Sequence, residues 1–81
     1  MRVLTVKDQA GIHARPAAQM AILLGKIGAQ VQLSHAGRTA DARSVIQLLS
    51  LGAVCGSELQ ADIQGTPEQI EAAVQVLNQW L

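Results

Sequence analysis

Residues 16–34, PAAQMAILLGKIGAQVQLS, change their hydrophobic period part-way along. Met20, Leu23, Leu24 and Ile27 follow the i, i+3, i+4, i+7 spacing of a helix with one buried face. From Gln30 the apolar residues fall on every second position, at Val31 and Leu33, as in a half-buried strand. Gly28 stands between the two patterns, where a helix needs a residue that tolerates left-handed backbone. Pro16 opens the helix, at a position where its missing N–H costs nothing. A helix and a strand that are each apolar on one side must bury those sides against each other, which points to a layered α+β protein.

Upstream, residues 2–7 alternate with Leu4 and Val6 on one side, and a loop from Asp8 to Arg15 contains Gly11 and His13. Downstream, His35 falls in a turn, Ser34-His35-Ala36-Gly37, where it reads as a solvated turn residue. The chain then enters a second strand near residues 38–42, making a hairpin. Ser44 with Gln47 three residues later matches a capping box and starts a short helix through Leu51, with Gly52 as its stop. Residues 58–64 alternate again on Leu59, Ala61 and Ile63. Thr66-Pro67-Glu68-Gln69 is a second capping box, and Ile70, Ala73, Val74 and Leu77 form the stripe of a last helix. The order is β-α-β-β-α-β-α. No linker or repeat interrupts it, so one domain over residues 1–81 is expected.

Composition narrows the functional classes. The chain has 81 residues, and with Trp80 as its one aromatic its core must be built from Leu, Ile, Val, Ala and Met. Six basic and six acidic residues give zero formal charge, so the basic face that drives nucleic-acid binding is missing. The apolar run Met20 to Leu24 is far too short to cross a bilayer, and the start, Met1 to Thr5, does not read as a signal peptide. A cytoplasmic, monomeric protein is expected. Cys55 is the single cysteine, which excludes an internal disulfide and a cysteine metal site, and it reads as a small apolar residue.

The chemistry concentrates in Gly11-Ile12-His13-Ala14-Arg15-Pro16-Ala17. A helix start offers unpaired N–H groups and the positive end of the macrodipole, so Ala14, Arg15, Pro16 and Ala17 form a region suited to an anion. Arg15 adds a permanent charge able to chelate phosphoryl oxygens. Imidazole is largely unprotonated and nucleophilic at neutral pH, which suits His13 to carry a phosphoryl group. Gly11 lets the loop turn where a side chain would clash. Singly, each residue has an ordinary explanation as a loop, capping or solvated side chain.

Taken together, the string Gly-Ile-His-Ala-Arg-Pro-Ala resembles the active-site motif of the histidine-containing phosphocarrier family, HPr. Ala42-Arg43-Ser44-Val45-Ile46 and Leu49-Ser50-Leu51-Gly52-Ala53 are similar to that family's second motif. The resemblance implies an open-faced β-sandwich, with a four-stranded antiparallel sheet covered on one face by three helices. It implies that His13 takes phosphate on Nδ1, with Arg15 stabilising it and Pro16 at the helix start. The implied donor is phospho-enzyme I, itself charged from phosphoenolpyruvate, and the acceptors are IIA proteins or domains. No metal or cofactor is called for, because transfer between histidines needs in-line approach and charge stabilisation.

Ser44 corresponds to the family's regulatory serine, which a dedicated kinase phosphorylates in some bacteria; a helix cap explains the same residue. The resemblance also brings transcriptional regulators into view as partners. Val45, Ile46 and Leu49 match docking positions, although each is also suited to packing the core. Many sugar-branch relatives present lysines on helix 1 where this chain has Ile22 and Gly25, leaving Lys26. Ser44-Val45-Ile46-x-Leu48-Leu49 looks like the nitrogen-branch relative, whereas Ser50-Leu51-Gly52-Ala53 and Gly56 look like the sugar branch. Three other readings stay open: a regulatory binding protein acting through Ser44, a carrier domain of a multidomain transferase or dihydroxyacetone kinase subunit, and an unrelated small enzyme. The Met1 start and the helix running to Leu81 suit a free-standing protein, and the absence of an acid, base or metal cluster around His13 counts against an enzyme.

Overall fold

In the computed structural model, which describes residues 2–81, seven elements follow one another: β1 (Arg2–Thr5), α1 (Ala14–Ile27), β2 (Gln30–His35), β3 (Arg38–Asp41), α2 (Val45–Ser50), β4 (Glu58–Gln64) and α3 (Pro67–Trp80). The strands form one antiparallel sheet in the order β1-β4-β2-β3. This is the α+β arrangement expected from the alternation and helical stripes, with β4 inserted between β1 and β2.

The register explains why one face of the sheet is covered. Leu4 lies opposite Leu59, Val31 opposite Ile63, and Leu33 opposite both Ala61 and Ala40. These pairs share a face because side chains alternate along a strand. The opposite face carries Gln32 against Asp62 and Asp41, and Gln30 against Gln64. The three helices cover the apolar face, where Met20 and Leu24 of α1, Leu48 of α2, and Ala73 and Leu77 of α3 are fully buried with Leu33 and Leu59. Leucine and methionine therefore do the space-filling usually given to aromatics. Burying each such side chain contributes roughly 1.5–3 kcal/mol.

The ends of the elements are set by local chemistry, with three differences from the sequence expectation. First, α1 begins at Ala14 with His13 as N-cap, so Pro16 is the third helical residue rather than the first. Proline fits there because the first N–H groups of a helix have no intrahelical acceptor, and its ring meets no helical carbonyl four residues back. Second, Ser44 caps α2 by accepting from the Gln47 N–H at 3.3 Å, but the reciprocal half of the box is not made. The Gln47 Oε1 instead accepts from the Asp41 N–H at 2.8 Å, tying α2 to the end of β3. Third, Ser34 and His35 belong to β2, and the hairpin turns on Ala36 and Gly37 alone, both at positive φ (51° and 80°).

The second capping box forms as expected. Thr66 Oγ1 accepts from the Gln69 N–H, and Gln69 Oε1 accepts from the Thr66 N–H. The same Gln69 side chain donates through Nε2 to the Ile27 carbonyl at 3.2 Å, so one residue closes the start of α3 and the end of α1. Gly28, at φ 84°, terminates α1 with its N–H donated to the Leu24 carbonyl.

Candidate functional site

The loop between β1 and α1 is pinned at both ends before it reaches His13. The Lys7 and Asp8 N–H groups both donate to the Leu81 carbonyl, at 2.7 and 2.8 Å, which anchors the loop on the end of α3. Further along, the Ile12 N–H donates to the Ala53 carbonyl at 3.2 Å, fastening the loop to the segment after α2. Gly11 adopts φ 71° at this crossing, where a β-carbon would lie 2.6 Å from the Ala53 oxygen. Only glycine meets both demands, a left-handed backbone and a close approach to another chain segment.

His13 then sits at the mouth of α1 with extended backbone (φ −124°, ψ −177°), and its side chain caps no N–H. Its carbonyl accepts the first intrahelical bond, from the Ala17 N–H at 3.1 Å. The imidazole is therefore free for other work, and its side chain is 43% exposed. The Nε2 atom lies 3.3 Å from Oδ2 of Asp8, and Nδ1 has no hydrogen-bond partner among the described residues. An accessible ring nitrogen at a helix start can act as a nucleophile next to backbone donors suited to an anion.

Of the four residues named for the anion region, Ala14 and Arg15 are exposed at the helix start, whereas Pro16 and Ala17 are buried. Pro16 has no N–H and that of Ala17 is bonded to His13, so the backbone donors left at the helix start belong to Ala14 and Arg15. The Arg15 side chain makes no ion pair among the described residues, and no acidic residue lies in the first turn of α1. A cation at the positive end of a helix is electrostatically unfavourable. Placing Arg15 there without an acidic partner leaves a locally electropositive surface, which an incoming anion relieves.

The docking candidates divide. Ile46 is 81% exposed and Leu49 42%, while Val45 is half-buried and packs against the core. Ile22 on α1 and Val54 beside Gly11 are also largely exposed, so exposed apolar side chains are not confined to those named from the second motif. Ser44 is half-buried at the start of α2 with its hydroxyl turned to the Gln47 N–H. Among the described residues there is no group of three metal-ligating side chains, and no helix is long and apolar enough to cross a membrane.

Asp8 is the site residue that the sequence reading did not single out. Its carboxyl is held below the ordinary carboxylate range, first by the Ala10 N–H it accepts; desolvation opposes this, and the His13 ring adds to the lowering. The available sequence signal was an Asp at a turn, five residues before the histidine.

Similarity to known proteins runs the length of the chain. The family described as "PTS HPr component phosphorylation site" matches residues 1–81. The chain is 35% identical over 68 residues to phosphocarrier protein HPr of Cupriavidus necator, a match that covers 84% of this chain and 76% of that one. It is 32% identical over 77 residues to phosphocarrier protein NPr of Klebsiella oxytoca, covering 94% and 84% respectively. The crystal structure of HPr-C-His from Thermoanaerobacter tengcongensis superposes with a TM-score of 0.81 at 26% identity, over 96% of this chain and 90% of that one. With the family match running the length of the sequence and the same open-faced sheet in a solved relative, the chain belongs to the HPr family of the phosphotransferase system, whose members are phosphocarriers rather than enzymes.

Proposed function

We propose that this chain, acting as a single domain in the cytoplasm, accepts a phosphoryl group from phospho-enzyme I on Nδ1 of His13 and passes it to a IIA protein or domain. The observation that carries this reading is the Nδ1 of a partly exposed His13, without a partner among the described residues, at the electropositive start of α1. Approach is in line with Nδ1. The Ala14 and Arg15 N–H groups and the Arg15 guanidinium take the phosphoryl oxygens, and their charge complements the dianion. The exposed Ile46, Leu49, Ile22 and Val54 supply apolar contact for the partner.

Either branch of the system fits such a carrier, since the chain is about as similar to an HPr as to an NPr. A regulatory role for Ser44 is the second reading, favoured by its position one and two residues before Val45 and Ile46. Phosphate there would replace a capping hydroxyl by up to about two negative charges beside the docking residues.

The test is a chase with purified enzyme I, labelled phosphoenolpyruvate and a IIA-type domain. Label should enter this chain and move on to IIA. Arg15→Ala should slow both transfers about ten-fold or more without preventing them. Label that reaches IIA equally fast through Arg15→Ala removes the arginine's role, and a wild-type chain that never takes label contradicts the carrier reading.

A further inference from the structure

Asp8 is held more firmly than a surface turn residue needs to be. Its N–H donates to the Leu81 carbonyl at 2.8 Å, and its own carbonyl accepts from the Gly11 N–H at 2.9 Å. Its Oδ1 accepts from the Ala10 N–H at 2.9 Å, which closes the turn. The turn needs one carboxylate oxygen; the second, Oδ2, is aimed at Nε2 of His13. With the backbone fixed on two sides and one oxygen committed, the other oxygen has little freedom to point elsewhere. Where a carboxylate accepts from one ring nitrogen of a histidine, it sets which nitrogen carries hydrogen and which offers its lone pair.

We propose that Asp8 is a positioning residue for phosphoryl transfer: its carboxylate holds His13 in the tautomer with hydrogen on Nε2, directs Nδ1 outward as the nucleophile, and stabilises the charge that the ring gains when phosphorus is attached. The proposal rests on the reading of His13 as the carrier. In the transfer, the Nδ1 lone pair forms the new N–P bond while the N–P bond of the donor phosphohistidine breaks. The electron pair of the broken bond stays on the donor's imidazole. Nε2 keeps its hydrogen throughout, so the ring becomes an N-phosphorylimidazolium cation and no proton has to leave. That cation faces the Asp8 carboxylate across the 3.3 Å contact. On donation to an acceptor the same events run in reverse, and the ring returns to neutrality. The carboxylate thus acts on the side of the ring opposite the phosphate, where it does not repel the incoming dianion at close range.

Two substitutions separate this role from the turn. Asp8→Ser keeps an oxygen able to accept from the Ala10 N–H but removes the second one. Asp8→Asn keeps the turn through its amide oxygen and presents an NH₂ donor to Nε2, which favours hydrogen on Nδ1, the wrong tautomer for attack. The experiment combines long-range ¹H–¹⁵N NMR of the His13 ring, in unphosphorylated protein with the ring neutral, with the rate of phosphorylation by enzyme I and phosphoenolpyruvate. Amide spectra confirm the fold of each variant. The wild type should show the Nε2–H tautomer, Asp8→Asn should move it toward Nδ1–H, and phosphorylation should fall about ten- to a hundred-fold. Asp8→Ser should lie between the two on both measures. Folded Asp8→Asn with wild-type tautomer and wild-type rate overturns the proposal. A wild-type chain that takes no phosphate from competent enzyme I overturns the carrier reading on which the proposal rests, a result visible before any variant is compared.

Discussion

Gly11 and Ala53 meet where the His13 loop crosses the segment after α2, so closely that a β-carbon on Gly11 would stand 2.6 Å from the Ala53 oxygen and 2.9 Å from the Val54 Cα. The Ile12 N–H bonds to that same Ala53 carbonyl. One backbone crossing therefore fastens the His13 loop to the segment that carries the exposed Val54.

Gly11→Ala tests this crossing. The substitution meets a positive φ and two backbone atoms that cannot move aside, so a stability loss of about 2–4 kcal/mol is expected from the left-handed backbone and the overpacking together. Urea unfolding of the two proteins measures it. A loss below 0.5 kcal/mol, as an order of magnitude typical of featureless surface sites, would mean that the two loops are not held together in this way.

Ala36 is the one described non-glycine residue at positive φ, and with Gly37 it forms the two-residue turn of the β2–β3 hairpin. Such turns favour Asn-Gly, because asparagine tolerates the left-handed region that alanine resists. Ala36→Asn should stabilise the protein by about 0.5–1 kcal/mol, read as a raised midpoint in urea with an unchanged slope. Unchanged or lowered stability would show that the turn is not of this type.

On α2, Ile46 and Leu49 are exposed while Leu48 is fully buried. Ile46→Asp should therefore leave stability within about 0.5 kcal/mol of wild type while weakening productive encounter with enzyme I, seen as a raised KM for the chain as substrate. Loss of folding instead would place Ile46 in the core, and unchanged KM would remove it from the docking surface.

The range of each interaction decides whether a local sequence pattern can announce it. The stripe Met20, Leu24 and the alternation Val31, Leu33 were legible because burial repeats with the period of the element itself. The Thr66–Gln69 box was legible because both partners lie within one turn. The similar pair Ser44–Gln47 misled by half, since Gln47 found a longer-range acceptor role at the Asp41 N–H that no local pattern announces. Pro16 marked the start of α1 to within a turn, because the whole first turn tolerates proline. The motif around His13 was legible as a string, but Asp8 was not. Its backbone is placed beside His13 by the Leu81 carbonyl, which lies more than seventy residues further along the chain and accepts the Asp8 N–H.

Phosphoryl transfer through this chain, as proposed, turns on Nδ1 of His13. Its most direct test is intact-mass and ³¹P NMR measurement after mixing the chain with enzyme I and phosphoenolpyruvate, alongside His13→Ala. One acid-labile phosphate per wild-type chain is expected, with the Nδ1-phosphohistidine signature, and none on a folded His13→Ala chain. Phosphate retained on His13→Ala, or none on the wild type with an enzyme I shown to be competent, would contradict it.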